Sequence, residues 1–210
     1  MKVEVRKLTD IELLHRANSF TTGNESHMSL AKAYKHSHSP IRTQEFWVEM
    51  TEIPLFVTSQ FVRSHIGIEK FQLSKRTDRG GEDFRAVIQR ILADLHLAWD
   101  RHDAEAFEEV CSEILSLTER FDRYTPVNLA FICNAEALIN MAHKRLCSKA
   151  SQETREIFKL IKLSVKLVDP DLADHLVPQC WYRGGICPEA KCCGLNKSVQ
   201  AEDYYKLFKN

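Results

Sequence analysis

The chain has no excess charge of either sign: Lys and Arg number 29, Asp and Glu number 29, and the pI is near 7.1. Such a balance gives no global field toward nucleic acid or an anionic membrane, so any anion site must be local. No apolar run approaches the roughly 18 residues of a membrane span, and the opening MKVEVRKLTD lacks the apolar stretch of a signal peptide. These absences predict a soluble, cytoplasmic protein with neither nucleic-acid nor membrane partners. Internal repeats and low-complexity segments are missing too. An even cysteine framework is also lacking: the seven cysteines include Cys111, Cys133 and Cys147 in apolar contexts, which fits reduced thiols better than disulfides. What is present is 210 residues with 44% hydrophobic content, enough to bury a core in one domain with an appended tail.

Periodicity predicts an α+β fold, a strand-containing core flanked by long helices. KVEVRKL alternates as a half-buried strand, and TDIELLHRANSF reads as a helix with Thr9 as N-cap and Glu12 three residues on. TTGNES is a loop, and HMSLAKAYKHSH is helical. EFWVEM places Phe46, Val48 and Met50 on one strand face. Pro54 fits the first turn of a helix running through Val62. Two amphipathic helices, EDFRAVIQRILADLHLAWDRHD and AEAFEEVCSEILSLTERF, make an antiparallel hairpin. TPVNLAFIC is a strand leading to Asn134, a good N-cap for a helix that continues past Arg145. A further helix covers about 151–168.

Chemistry concentrates in QFVRSHIGIEKFQLSKRTDRGG, 60–81. On the helix ending there, Phe56, Gln60 and Arg63 fall on one face. On the following strand Ser74 and Arg76 share a face while Lys75 points away. Fixed cations beside hydroxyl donors suit a phosphate, which an Arg fork can bind bidentately. Ser74 neighbours only cations, so its hydroxyl reads as a donor to a ligand and not as a nucleophile. Gly67 permits close backbone approach. Asn134 and Arg145, eleven residues apart, lie on nearly one helix face, roughly 16 Å from each other. Each also has a plainer reading, Asn134 as an N-cap only and Arg145 as a snorkelling cation.

Taken in order, these features resemble the flavin-dependent thymidylate synthase family, ThyX. Its signature is Arg-His-Arg, seven residues, then Ser-x-Arg, with a Gln three residues before the first Arg. This chain has Gln60, Arg63, Ser64, His65, eight further residues, then Ser74 and Arg76. A second family segment is matched in spacing by Asn134, Asn140, Arg145 and ASQETR, 150–155, with Ser151 where Gln is usual. His38, within HSHS, matches a family His upstream of the signature. The resemblance covers roughly residues 30–170, and several short motifs in the right order are far harder to obtain by chance than one.

The resemblance implies a homotetramer with flavin sites between subunits, and methylation of dUMP to dTMP using FAD, methylenetetrahydrofolate and NADPH. Arg145 takes the catalytic position on the pyrimidine edge. Gln60, Arg63, Ser74, Arg76 and Arg123 are the implied substrate contacts; His38, Ser39, Arg63, Ser64, His65, Asn134 and Asn140 are the implied flavin contacts. Ser64 and His65 depart from the signature, and one extra residue precedes Ser74. These departures look like a divergent branch of the kind bacteriophages carry, in which case the host cytoplasm is the location. They also leave two alternatives: hydroxymethylation or methylation of dUMP or dCMP, and an inactive nucleotide-binding homologue.

The division expected is a catalytic domain over 1–178 and a Cys-rich extension over 179–210. In that tail Cys180, Cys187, Cys192 and Cys193 follow the spacing C-x6-C-x4-C-C, with His175 nearby. A structural zinc site is one reading. Adjacent cysteines and the absence of a C-x2-C knuckle favour packing thiols, so no metal is expected.

Overall fold

The computed structural model describes residues 1–72, 83–121 and 123–198, with the backbone alone for 118–121. Its elements run β1 (Lys2–Lys7), α1 (Ile11–Thr22), α2 (Leu30–His36), a 3-10 turn (Ser39–Thr43), β2 (Glu45–Pro54), α3 (Leu55–Val62) and β3 (Ile68–Gln72). Then come α4 (Phe84–Asp100), α5 (Ala104–Phe121), β4 (Pro126–Asn134), α6 (Ala135–Arg145), α7 (Gln152–Val168), α8 (Pro170–His175), α9 (Gln179–Tyr182) and a final 3-10 turn (Leu195–Ser198). Helices thus alternate with an antiparallel sheet, as the α+β expectation required.

The four strands are ordered β1-β2-β4-β3. Alternation in β2 sends Phe46, Val48 and Met50 to the core, fully buried, while Val127, Leu129, Phe131 and Cys133 do the same from β4. Onto that face pack α3, α6 and α7: Phe61 stacks between Phe131 and Phe158, each ring pair 6.2 Å apart. Burying a side chain of this size contributes about 1.5–3 kcal/mol, so the sheet and α7 are held mainly by this apolar layer. The α4–α5 hairpin forms as its periodicity predicts and has its own small core, Ile91, Val110 and Leu117. No helix among the described residues is long and apolar enough to cross a membrane.

Three local expectations are corrected. The N-cap of α1 is Asp10, whose carboxylate accepts from Glu12 and Leu13 N–H. Thr9 is already occupied at the strand edge, donating to Thr43 O at 2.8 Å and accepting from Glu45 N at 2.9 Å. Helix α1 also runs through Thr22 into the segment expected to be loop, and stops at left-handed Gly23, φ 72. Helix α6 ends at Arg145 and does not continue past it, because Cys147 O accepts from Ala150 N at 2.9 Å to close a turn. Ser151 then caps α7. DPDLADH, which periodicity leaves unassigned, forms α8 with Asp169 as N-cap and Pro170 in its first turn.

Candidate functional site

Helix α3 is stopped by the turn after Val62, and one glycine sets the path of the chain into β3. Gly67 has φ +69, and a Cβ placed there would come within 2.4 Å of Asn134 Nδ2. Its carbonyl accepts from Asn134 N at 3.1 Å. Only a glycine allows this approach without strain. Asn134 itself ends β4 and caps α6, its Oδ1 accepting from Ala137 N at 2.9 Å. Asn134 thus caps a helix and packs against Gly67 of the turn that leads into β3.

From that cap, α6 buries Ala135, Ala137, Leu138, Ile139, Met141 and Ala142 and carries His143, Lys144 and Arg145 in its last turn. The Lys144 and Arg145 cations suit the negative end of the helix dipole. The Arg145 guanidinium turns back to α3, with Nη1 donating to Gln60 Oε1 at 3.1 Å and Nη2 donating to the Gln60 carbonyl. Its Nε is buried without a partner. Burial, and then the nearby Arg63 charge, lower the Arg145 pKa; a guanidinium nonetheless stays protonated in a protein. Gln60 and Arg145 line a cavity of about 200 Å³ together with Lys144 and Lys149. Glu189, the one carboxylate among its described lining residues, faces Lys149 at 3.6 Å. The result is a partly desolvated cation with no described carboxylate paired to it.

A second cavity, about 310 Å³, opens on another side of α6 between Ser37, Glu136, Asn140, His143, Tyr182 and Arg183. His38 is the N-cap of the 3-10 turn that starts at Ser39, and its ring stacks on His36 at 5.8 Å. Arg42 ties that turn to α6 through Glu136 at 2.7 Å. His143 lines both cavities. Its Nε2 is buried and unpartnered, and its ring lies 4.6 Å from that of Tyr182. Burial, and then Arg183, push its pKa down to about 4, so the imidazole is neutral at physiological pH.

The structure therefore joins Gln60 to Arg145, with the Arg63 charge nearby, sets Asn134 against Gly67, and places Asn140 in a cavity whose wall includes Ser37, next in sequence to His38 and Ser39. His65 is exposed, with Nδ1 3.4 Å from Lys70 Nζ, which also donates to Val62 O at 3.2 Å. Arg123 lies elsewhere: its guanidinium sits 4.2 Å over the Phe56 ring at the opposite end of α3. Ser74 and Arg76 fall outside the described residues. His143, Tyr182, Arg183 and Lys70 were not anticipated. For His143 a signal existed, since it stands on α6 between Asn140 and Arg145.

The residues expected to face a flavin form a mixed set. Asn134, Asn140, Ser39, Ser64 and the imidazoles offer neutral donors and acceptors suited to a flavin's carbonyl and ring-nitrogen edges, and Arg63 offers a cation suited to its diphosphate.

Comparison with solved structures finds the crystal structure of the UMP/dUMP methylase PolB from Streptomyces cacaoi bound with 5-Br dUMP, at 15% identity and a TM-score of 0.51, covering 83% of this chain and 94% of that one. At this identity the likeness concerns the fold. No curated protein matches the chain. The model of the thymidylate synthase complementing protein family matches residues 9–171. With most of its length inside that match, the chain belongs to the thymidylate synthase complementing protein family.

Proposed function

We propose that the protein is a flavin-dependent thymidylate synthase, methylating dUMP to dTMP with methylenetetrahydrofolate as carbon donor and NADPH as reductant. The observation that carries this is Arg145: a partly buried guanidinium fixed on Gln60, with an unpartnered Nε and no described carboxylate beside it. A desolvated cation of this kind favours an anion, and a pyrimidine deprotonated at N3 is one. The FAD supplies reducing equivalents when bound, while the protein positions it. Arg145 stabilises charge on the ring, and Gln60 holds the guanidinium in register. Arg63, Ser74 and Arg76 are proposed at the nucleotide, with the phosphate resting on them; Arg123, over the Phe56 ring at the far end of α3, is not proposed at this site. His38, Ser39, Ser64, His65, Asn134 and Asn140 are proposed at the flavin. Association into a homotetramer is supported by exposed Leu92, Leu97, Trp99 and Leu115 on the α4–α5 hairpin.

A second reading, modification of dCMP or a hydroxymethyl product, is favoured by His65, whose engagement with Lys70 gives the turn a different donor from the family's Arg. One experiment addresses both. The purified protein is checked for bound flavin by absorbance, then given dUMP or dCMP with methylenetetrahydrofolate and NADPH, and the nucleotide is weighed by mass spectrometry. A methyl increment on dUMP is the expected result. A hydroxymethyl increment or a dCMP product would shift the reading to the second, and a colourless protein that alters neither nucleotide would overturn both.

A further inference from the structure

The family match ends at residue 171, yet the chain beyond it helps to wall the cavity that Gln60 and Arg145 line, through Cys180, Cys187, Pro188 and Glu189 among others. This C-terminal segment is firmly seated. Cys180 is buried on α9, the Tyr182 ring lies 4.6 Å from that of His143, and Asn196 donates to Gly185 O at 3.0 Å. So placed, the segment brings a carboxylate, Glu189, into a lining otherwise charged by Lys144, Arg145 and Lys149.

Three of these groups keep hydrogen-bonding capacity. Gln60 takes an N–H from each of the two Arg145 Nη atoms, and a guanidinium has about five such donors. Lys149 Nζ and Glu189 Oε2 are 3.6 Å apart, too far for a hydrogen bond, and their side chains are 41% and 50% exposed. Such a pair is held weakly and fills neither partner. Two donors and one acceptor therefore border one cavity of about 200 Å³. Sites for drug-sized molecules occupy about 300–1,000 Å³, so this space suits a single ring and not a whole flavin dinucleotide.

The two pyrimidines differ at the edge that such a set would meet. Uracil presents O2, N3–H and O4, an acceptor, a donor and an acceptor; cytosine presents O2, a bare N3 and an N4 amino group, two acceptors and a donor. We propose that Glu189 and Lys149 are specificity-determining residues that read the uracil edge together with Arg145. The guanidinium donates to O2, Glu189 accepts from N3–H, and Lys149 donates to O4. This assignment rests on the reading that Arg145 meets the pyrimidine. Cytosine in the same pose sets its N3 lone pair against the carboxylate and its amino group against the ammonium, and mispaired polar groups of this kind separate close analogues strongly. When the ring becomes an anion on Arg145, the N3 proton leaves past the half-exposed carboxylate to water and its electron pair stays on the ring. Lys149 offsets the carboxylate's charge at that moment.

The test reads binding and leaves turnover aside. Dissociation constants for dUMP and dCMP are measured by calorimetry on the full-length protein and on its Arg145→Ala, Glu189→Gln and Lys149→Met variants. The unmodified protein should prefer dUMP, and Arg145→Ala should weaken both nucleotides. Glu189→Gln should weaken dUMP about 10–100-fold, as expected when a hydrogen bond to a charged group is lost. It should spare dCMP, because the new amide can turn an N–H toward the bare N3. Lys149→Met should lower the preference for dUMP in the same direction. A protein that binds neither nucleotide, or an Arg145→Ala variant that binds both as the parent does, would sink the reading of Arg145 and this inference with it. If Arg145→Ala weakens both nucleotides while Glu189→Gln or Lys149→Met leaves their ratio unchanged, or if the unmodified protein prefers dCMP, the inference alone is overturned.

Discussion

Asp169 and Arg145 are both ionised groups withdrawn from solvent, and the fold treats them in opposite ways. Asp169 is 2% exposed and fully met: Oδ2 accepts from Lys7 Nζ at 2.6 Å and from Tyr34 Oη at 2.7 Å, while Oδ1 accepts from Leu172 N at 3.0 Å. Burial, followed by the carboxylate itself, drives the Tyr34 pKa upward, so the phenol remains a donor. Arg145 has one side chain and one carbonyl as partners, a bare Nε and no paired carboxylate among the described residues. A buried charge that serves the fold has its hydrogen-bonding capacity filled by the fold. One left incomplete at the edge of a cavity retains capacity for something else.

The sharpest way to break this comparison is to remove the filled charge. Asp169→Ala strands Lys7 and Tyr34 in the interior and should cost about 3–5 kcal/mol, read as a lower midpoint in urea denaturation. A variant as stable as the parent would mean that the cluster is not structural. Arg145→Ala should do the reverse. Stability should change by about 1 kcal/mol or less, while turnover at saturating nucleotide falls about 10²–10³-fold, as expected when a group stabilising transition-state charge is lost. Near-normal turnover would return Arg145 to the class of ordinary helix-end cations.

The smallest expected effect sharpens the comparison through a third buried group. His143 has a folded pKa of about 4 against an ordinary 6.5, so the unfolded chain binds its proton first. The neutral imidazole's contribution is therefore complete above pH 6.5 and is lost as pH falls through about 4. This amounts to about 2–3 kcal/mol. His143→Phe keeps a ring against Tyr182 and removes the titration. The stability difference between parent and variant should slope across that window, and a flat difference would place the imidazole in contact with water.

How much of the molecule can be read from its sequence depends on contact range. Phe46, Val48 and Met50 declared β2 because alternation is local, and Asn134 declared the start of α6 because a cap acts within three residues. Thr9 and Asp10 are both good caps, so no local rule could choose between them; the choice was made by Thr43 and Glu45, distant in sequence. The site shows the same boundary. Gln60 and Arg63 could be placed on one face of α3, but Gln60's bond to Arg145 joins residues 85 apart. Tyr182 on His143 likewise depends on how the C-terminal segment folds back, which periodicity does not encode. Asp169 and Pro170 at the head of DPDLADH are a local cap signal of the same kind as Asn134.

Helix α6 is held at both ends by one short piece of chain. Its first residue adjoins Asn134, which bonds Gly67; its last is Arg145, which bonds Gln60. The segment 60–67 thus runs alongside a helix about 16 Å long, and the two must keep matching lengths. A single residue inserted into α6 would advance everything after it by about 1.5 Å and rotate it by about 100°, turning the guanidinium off Gln60 while the Gly67 end stayed fixed. Descendants of this sequence can exchange side chains along α6, but they cannot lengthen it alone. Gains and losses of residues should instead accumulate in the α4–α5 hairpin, whose three-residue core is separate from the sheet.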